Sequence, residues 1–137
     1  MTRKGSAIWK GGLKDGSGTV STDSGVLNGQ QYSFKTRFED RLGTNPEELL
    51  AAAHAACFSM ALSNQLAQAG MTADSIETTS TVTMENLTIT KFHLDLTATI
   101  PGADAAKFDA AATAAKEGCP VSRLFNAEIT LDAKLKA

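Results

Sequence analysis

The sequence predicts an α+β fold of about six strands and two main helices, formed by a single domain over residues 1–137. Two observations indicate this class. Short segments in which apolar and polar residues alternate lie in both halves of the chain, and two longer apolar segments of helical character separate them. The composition, with 42% hydrophobic residues, 20% charged residues and a net charge of −2, is typical of a globular protein with its own core.

Three strands are expected ahead of the first long helix. Residues 6–10 and 18–22 are short candidate strands, and the glycines between them favour a hairpin. Residues 31–38 place aromatic residues and a threonine on one face and Ser, Lys and Arg on the other, which is the two-residue period of a strand. Arg37 then lies on the polar face, where a solvated side chain is its commonest role.

The central helix has clear signals at both ends. Thr44 and Glu47 stand three residues apart, as in a capping box, and Pro46 favours the first helical turn. Glu47 and Glu48 also complement the positive end of the helix dipole. We expect the helix to run to Ala69 and to stop at the glycine that follows.

The middle of this helix is apolar on every side. Between residues 49 and 62 only His54 and Ser59 carry polar side chains. A helix of this kind needs packing partners all round, so we predict an intimate homodimer in which the central helices pack at the core.

The chain carries no sequence sign of a membrane or nucleic-acid partner. The apolar run at 49–62 is shorter than the roughly 20 residues of a membrane span, and no apolar run follows the positive charges at the N-terminus. No basic stripe is present, so nucleic-acid binding is not expected. A cytoplasmic location follows as the default expectation.

The second half of the chain predicts three further strands and one helix. Residues 76–84, 92–100 and 127–136 alternate between apolar and polar side chains, as half-buried strands do. His93 falls on the polar face of its strand, where we expect a surface role. The intervening helix is expected over residues 103–118.

Both cysteines belong to apolar surroundings. Cys57 lies in the middle of the central helix, and Cys119 continues the buried stripe of the second helix. Pro120 ends that helix, so Cys119 is expected at a helix end or in the turn after it. Without a signal peptide a structural disulfide is not expected. The two cysteines and two histidines form no closely spaced pair typical of zinc sites, so no metal is expected and redox or nucleophilic chemistry remains.

A reactive thiol in an apolar site needs a positive group beside it. Burial raises the pKa of a cysteine, whereas the thiolate is the nucleophile. His54 stands three residues before Cys57, and Arg37 is the alternative if the fold brings it to the helix. A guanidinium can stabilise a thiolate and hold a carboxylate such as Glu47 at the same time. His54 can equally be a core histidine with one hydrogen bond.

Three segments carry a resemblance to a known family. GVLNGQQYSFKTRFE, GTNPEELLAAAHAACFSMAL and KEGCPVSRLFNAEITLDAKLK resemble the OsmC (osmotically inducible protein C) branch of the OsmC/Ohr family of thiol-dependent peroxidases, and the similarity extends over nearly the whole chain. The resemblance implies an OsmC-like fold in an intertwined homodimer with two central helices. It also implies reduction of organic hydroperoxides by a peroxidatic and a resolving cysteine.

The resemblance also implies roles for individual residues. Cys57 matches the peroxidatic cysteine and Cys119, in GCPVS, the resolving cysteine. Arg37 matches the arginine that activates the thiolate, and Glu47 the glutamate that orients this arginine.

Two further residues, Glu48 and His54, fit the family motif as supporting candidates. No bound cofactor is implied, because sulfur carries the redox chemistry. The family implies an external dithiol reductant, for which lipoyl groups on carrier enzymes are a good candidate.

The spacing along the helix adds one inference. Glu47 and Cys57 are ten residues apart, which corresponds to roughly 15 Å in a straight helix. This separation is too large for one salt-bridge and thiolate cluster, so we expect the partner chain to supply Glu47 and Arg37 to each site.

Three other functions fit parts of the sequence. A Cys57–His54 pair could carry acyl transfer or hydrolysis, but it leaves Cys119 unused and lacks a third, orienting group. A non-enzymatic dimer that binds apolar ligands would need the apolar groove and not the cysteines. A redox sensor would need a partner-binding or DNA-binding element, which the sequence does not reveal.

Overall fold

The structure is a computed structural model that describes residues 1–40 and 42–137. The chain forms two compact units, Met1–Leu49 and Leu50–Ala137. The described residues form six strands in two three-stranded sheets and four helices, two of them long. The predicted α+β class is confirmed.

The first unit contains an antiparallel sheet of β1 (Gly5–Lys10), β2 (Ser17–Thr22) and β3 (Gln30–Tyr32), in that order. The predicted hairpin of the first two strands is confirmed. Gly18 lies where the two neighbouring strands come close, since a Cβ atom there would stand 2.7 Å from both the Trp9 and the Tyr32 ring. A side chain at this position would therefore push the two rings apart.

The predicted strand at 31–38 is wrong beyond its second residue. The chain turns after β3 into a short helix, α1 (Phe34–Phe38), which carries Arg37. Ser33 and Thr36 form a reciprocal cap: Ser33 Oγ accepts from the Thr36 N–H at 3.3 Å, and Thr36 Oγ1 accepts from the Ser33 N–H at 2.7 Å. This cap satisfies the backbone donors at the start of the helix, so the chain can leave the sheet there.

The aromatic pattern explains why a strand was predicted at residues 31–38. Phe34 and Phe38 would share a face of a strand because they are four positions apart, but this spacing also equals about one helical turn. In the structure their rings lie 5.0 Å apart on α1.

The second unit contains a sheet in the order β4 (Ser75–Glu85), β5 (Thr88–Thr99) and β6 (Glu128–Lys136). These bounds confirm the three predicted strands. The first pair is antiparallel and the second is parallel. A parallel pair needs a crossover connection, and α3 (Ala105–Gly118) and α4 (Pro120–Leu124) form it.

The central helix, α2, spans Pro46–Gln68. Asn45 caps it, since Asn45 Oδ1 accepts from the Glu48 N–H at 2.8 Å. The predicted capping box of Thr44 and Glu47 is therefore wrong: Thr44 Oγ1 instead donates to the Glu48 carboxylate at 2.8 Å.

The expected stop after α2 is confirmed. Gly70 has a φ of +79°, the left-handed conformation that glycine adopts without strain. The N–H of Met71 donates to the Leu66 carbonyl at 2.8 Å, and the N–H of Gly70 to the Ala67 carbonyl at 3.0 Å. These two bonds are the pattern of a Schellman motif.

Within the second unit, α2 has one buried and one exposed side. Its buried residues follow one another at intervals of four and join the core that includes β5 and α3; they are His54, Phe58, Leu62 and Leu66. Residues on the other side are exposed although they are apolar, and Met60 is 78% exposed. The expectation that this face is covered in a homodimer stays a prediction. No helix in the described part of the chain has the length and apolar character to cross a membrane.

Candidate active site

Cys119 lies at the junction of α3 and α4. Its backbone N–H donates to the Ala115 carbonyl at 3.0 Å and closes α3, while its Sγ accepts from the Ser122 N–H at 3.3 Å and caps α4. The predicted position at a helix end is confirmed. The short helix α4 was missed, because Pro120 was interpreted only as the end of one helix, although proline also favours the first position of the next.

Cys57 and Cys119 line the same cavity of about 390 Å³ in the second unit. Cys57 is partly exposed and Cys119 is 1% exposed. The other residues that line the cavity carry no charge: Met60, Ala61, Asn64, Gln65, Ala114, Ala115, Gly118 and Pro120. A small, uncharged and mostly apolar molecule would therefore reach Cys57 without losing the solvation of a charge.

The two cysteines are free thiols at one cavity, and Cys119 is close enough to act on the pKa of Cys57. Burial raises the pKa of Cys57, and Cys119 raises it further, while the backbone N–H of Val121 lowers it. None of the groups that shift this pKa is a cation, so the site in the second unit favours the protonated thiol.

His54 is fully buried and bonds to Ser122. Its Nε2 lies 2.7 Å from Ser122 Oγ, and Ser122 Oγ accepts from Cys119 Sγ at 3.0 Å. Burial lowers the pKa of His54, so its imidazole is neutral at neutral pH. The imidazole is thus hydrogen bonded to Ser122, which in turn bonds to Cys119. This arrangement does not favour a Cys57–His54 pair as the site of acyl transfer.

Ser122 was not singled out from the sequence. Ser122 stands three residues after Cys119 and directly after Pro120-Val121. In a helix, side chains three residues apart can bond to each other across one turn, and this was the only sequence signal for Ser122. This geometry could be inferred only once α4 was known.

Arg37 and Glu47 form an ion pair in the first unit, as the sequence predicts. Glu47 Oε1 accepts from Arg37 Nε at 2.9 Å and lies 2.7 Å from Arg37 Nη2. The other carboxylate oxygen, Oε2, is buried without a hydrogen-bond partner among the described residues. Two donors on one oxygen hold the guanidinium in a fixed orientation.

The remaining candidates have other roles. Glu48 accepts from Thr44 and from no other described side chain, so it supports the start of α2. His93, Asp95 and Asp132 lie together with ligand atoms within 4.8 Å of one another. His93 Nε2 pairs with Asp95 at 3.3 Å and Nδ1 bonds to Thr130. These internal contacts account for the cluster, in agreement with the surface role expected for His93.

Two free cysteines that line one uncharged cavity, in an α+β chain, are an arrangement typical of dithiol redox proteins. The family described as OsmC-like protein matches residues 38–134. Peroxiredoxin OsmC of Escherichia coli (strain K12) is 55% identical over 139 residues, which cover 98% of this chain and 97% of that protein. The chain belongs to the OsmC family.

More distant relatives agree with this assignment. The organic hydroperoxide resistance protein OhrB of Bacillus subtilis is 29% identical over 87% of this chain and 89% of that protein. The crystal structure of OhrB matches 99% of this chain and 98% of the OhrB chain, with a TM-score of 0.66 and 27% identity. The OsmC-like protein from Mycoplasma pneumoniae shares the fold over 100% of this chain and 99% of its own, with a TM-score of 0.76 and 16% identity.

Proposed function

We propose that this protein is a thiol-dependent peroxidase that reduces organic hydroperoxides to alcohols through Cys57 and Cys119. The position of both free thiols at one cavity carries this proposal. The 55% identity to a peroxiredoxin over nearly the whole chain supports the peroxidase activity. The name of OhrB, an organic hydroperoxide resistance protein, supports the class of substrate.

The reaction has two chemical steps on the protein. The Cys57 thiolate attacks one peroxide oxygen, the O–O bond breaks, and the alcohol leaves after taking up a proton, so that Cys57 becomes a sulfenic acid. The Cys119 sulfur then attacks the Cys57 sulfur, the S–O bond breaks, and a disulfide and water form. An external dithiol restores both thiols by exchange. We infer that a lipoyl group can serve as this dithiol, without any bound cofactor.

The first step needs a cation, because the surroundings of Cys57 raise its pKa. Arg37 is our candidate, with Glu47 holding its guanidinium in place. α2 is continuous from Pro46 to Gln68, so Glu47 and Cys57 are separated by about 15 Å along its axis. This spacing supports a site in which the partner chain of a homodimer supplies Arg37 and Glu47.

The exposed side of α2 is consistent with such a homodimer. Ala52, Ala53, Ala56 and Met60 are exposed on that side. Small residues let two helices approach closely, and apolar area removed from water stabilises the contact. We also infer a cytoplasmic location, since a reducing compartment keeps Cys57 and Cys119 available as thiols.

The cavity beside Cys57 supports an alkyl hydroperoxide as the substrate. No charged side chain lines it, so an alkyl group gains from burial there whereas hydrogen peroxide does not. We therefore expect a preference for organic hydroperoxides over hydrogen peroxide.

Steady-state turnover tests the proposal. The purified protein is mixed with cumene hydroperoxide and dihydrolipoamide, and loss of peroxide is followed. Cys57→Ser should abolish turnover, because it removes the thiol that attacks the peroxide. Cys119→Ser should allow one oxidation and leave Cys57 trapped as a sulfenic acid. Ser59→Ala, which removes a hydroxyl from the same helix, is the matched control and should keep turnover. Undiminished turnover in Cys57→Ser would rule out this mechanism.

A further inference from the structure

A buried chain of three polar groups leads from Cys119 into the core. Cys119 Sγ lies 3.0 Å from Ser122 Oγ, which lies 2.7 Å from His54 Nε2. Cys119 is 1% exposed, Ser122 5% and His54 0%. Because water hardly reaches any of them, a proton that leaves the Cys119 thiol has its nearest acceptor in this chain.

Burial of the His54 imidazole costs free energy of folding, which indicates that its nitrogen atoms have a function. Its ring meets Phe92 and Phe125 edge-on, with centroids 5.4 and 5.2 Å away, and its Nδ1 is buried without a hydrogen-bond partner among the described residues. An unpartnered buried polar atom is destabilising, and a phenylalanine ring would avoid that cost in these surroundings. Among the described residues, the imidazole makes its one polar contact with Ser122.

The three hydrogen-bonded groups, Cys119, Ser122 and His54, can share their hydrogens in two arrangements. In one arrangement the Cys119 thiol donates to Ser122 Oγ, and the Ser122 hydroxyl donates to a neutral His54. In the other, His54 Nε2–H donates to Ser122 Oγ, and the hydroxyl donates to a Cys119 thiolate. That thiolate also accepts from the Ser122 backbone N–H, at 3.3 Å. Moving both hydrogens converts the first arrangement into the second and transfers one proton from sulfur to nitrogen.

We propose that Ser122 and His54 form a proton relay that activates Cys119 for its attack on oxidised Cys57. This inference rests on the proposed peroxidase function and assigns two residues to its second step. Ser122 touches the reacting sulfur, and His54 acts through Ser122.

The second step then balances as follows. Cys119 gives its proton to the relay, and its sulfur forms the bond to Cys57 Sγ while the S–O bond breaks. The departing hydroxide and the proton that the imidazolium afterwards releases together form one water, so the net products are one disulfide and one water. Cys57 sulfur is reduced from the sulfenic to the disulfide level, and Cys119 sulfur is oxidised to the same level.

Few other groups can affect the titration of this relay. β5 contributes Phe92 beside His54, and the segment after α4 contributes Phe125. No charged side chain of the described residues hydrogen bonds to His54, and burial alone lowers its pKa. The titratable neighbours of Ser122 are Cys119 and, through it, Cys57. A change in pH dependence can therefore be traced to the relay itself.

A single-turnover experiment separates this inference from the proposed function. Reduced protein is mixed rapidly with one equivalent of cumene hydroperoxide, quenched with acid, alkylated and weighed by mass spectrometry. Loss of peroxide reports the first step, and disulfide reports the second. If wild-type protein fails to consume peroxide, the proposed function fails; the relay is judged only from the second step.

Two variants test the relay. Ser122→Ala removes the hydroxyl that links Cys119 to His54, and His54→Gln can bond to Ser122 but cannot accept the proton. Both should keep the first step within about twofold and slow disulfide formation about tenfold or more. The remaining disulfide formation should become faster as the pH is raised, since hydroxide or buffer must then replace the relay as the proton acceptor, whereas in wild-type protein it should change little. Ser122→Thr keeps a hydroxyl and should restore the wild-type profile.

The control is Ser59→Ala, which removes a hydroxyl bonded to Thr78 at 2.7 Å on another side of α2. It should leave both steps unchanged. A wild-type rate of disulfide formation in Ser122→Ala or His54→Gln would overturn the relay. A slower rate with an unchanged pH profile in both variants would also overturn it, because that result indicates a purely structural role. If Ser122→Ala does not fold, His54→Gln decides the question by the same criteria.

Discussion

At the scale of single residues, the reactive role that we propose for Cys57 meets surroundings that oppose its ionisation. Burial and Cys119 raise its pKa, and the Val121 N–H only partly offsets them. A peroxidatic thiol must ionise to react. The Cys57 thiolate therefore requires a positive charge beside it, which the second unit does not supply. We propose that Arg37, held by Glu47, supplies this charge.

This requirement gives a prediction for Arg37. Arg37→Ala should move the pH profile of the first, peroxide-consuming step to higher pH and lower its rate at pH 7 about tenfold or more, because the thiolate loses its counter-charge. The rate is measured by rapid mixing with cumene hydroperoxide between pH 6 and pH 9. Lys35→Ala removes a cation from the same short helix and should leave the profile unchanged. An unchanged profile in Arg37→Ala would show that another group activates Cys57.

Sequence reasoning reached some of these residues and missed another. The Arg37–Glu47 contact and the position of Cys119 at a helix end were both predicted, since the family motif and Pro120 are local features. Ser122 was missed because its contact with His54 joins residues 68 positions apart. A contact at that separation depends on how α4 packs, which no local pattern reports.

At the scale of elements, the segments with one clear period were predicted well and the ambiguous one was not. β4, β5 and β6 follow the expected alternation closely. The segment at 31–38 fits both a strand and a helix, and the cap between Ser33 and Thr36 decides for α1. Side-chain caps are decisive in segments this short, since few other contacts stabilise them.

The cap of α2 provides a test at this scale. Asn45→Ala removes the acceptor for the Glu48 N–H and the contact from Asn45 Nδ2 to the Thr36 carbonyl at 3.3 Å. We expect the free energy of unfolding to fall by about 1 kcal/mol, measured by urea denaturation followed by circular dichroism. Ser63→Ala, at an exposed position inside α2, should change it by less than about 0.5 kcal/mol. Equal stabilities of the two variants would contradict the cap.

At the scale of the whole molecule, the exposed apolar side of α2 and the separation of Glu47 from Cys57 point to the same arrangement. Each active site of a homodimer would combine the two cysteines of one chain with Arg37 and Glu47 of the other. The dimer would then be required for catalysis as well as for burial of the helix.

Mixed dimers test this arrangement. Cys57→Ser and Arg37→Ala chains are unfolded together, refolded and assayed with cumene hydroperoxide and dihydrolipoamide. If the partner supplies Arg37, a mixed dimer contains one intact site, and activity should rise to about a quarter of the wild-type value at equal amounts, since half of the dimers are mixed and each has one of two sites. Activity no higher than the average of the two parents would show that each chain supplies its own arginine.

The most direct test of the central claim is the mass and linkage of the protein after one equivalent of cumene hydroperoxide. We predict that reduced protein loses two hydrogens, and that the proteolytic fragments containing Cys57 and Cys119 are then joined by a disulfide within one chain. Recovery of both thiols unchanged after peroxide has been added would contradict the account, as would a disulfide only between two chains.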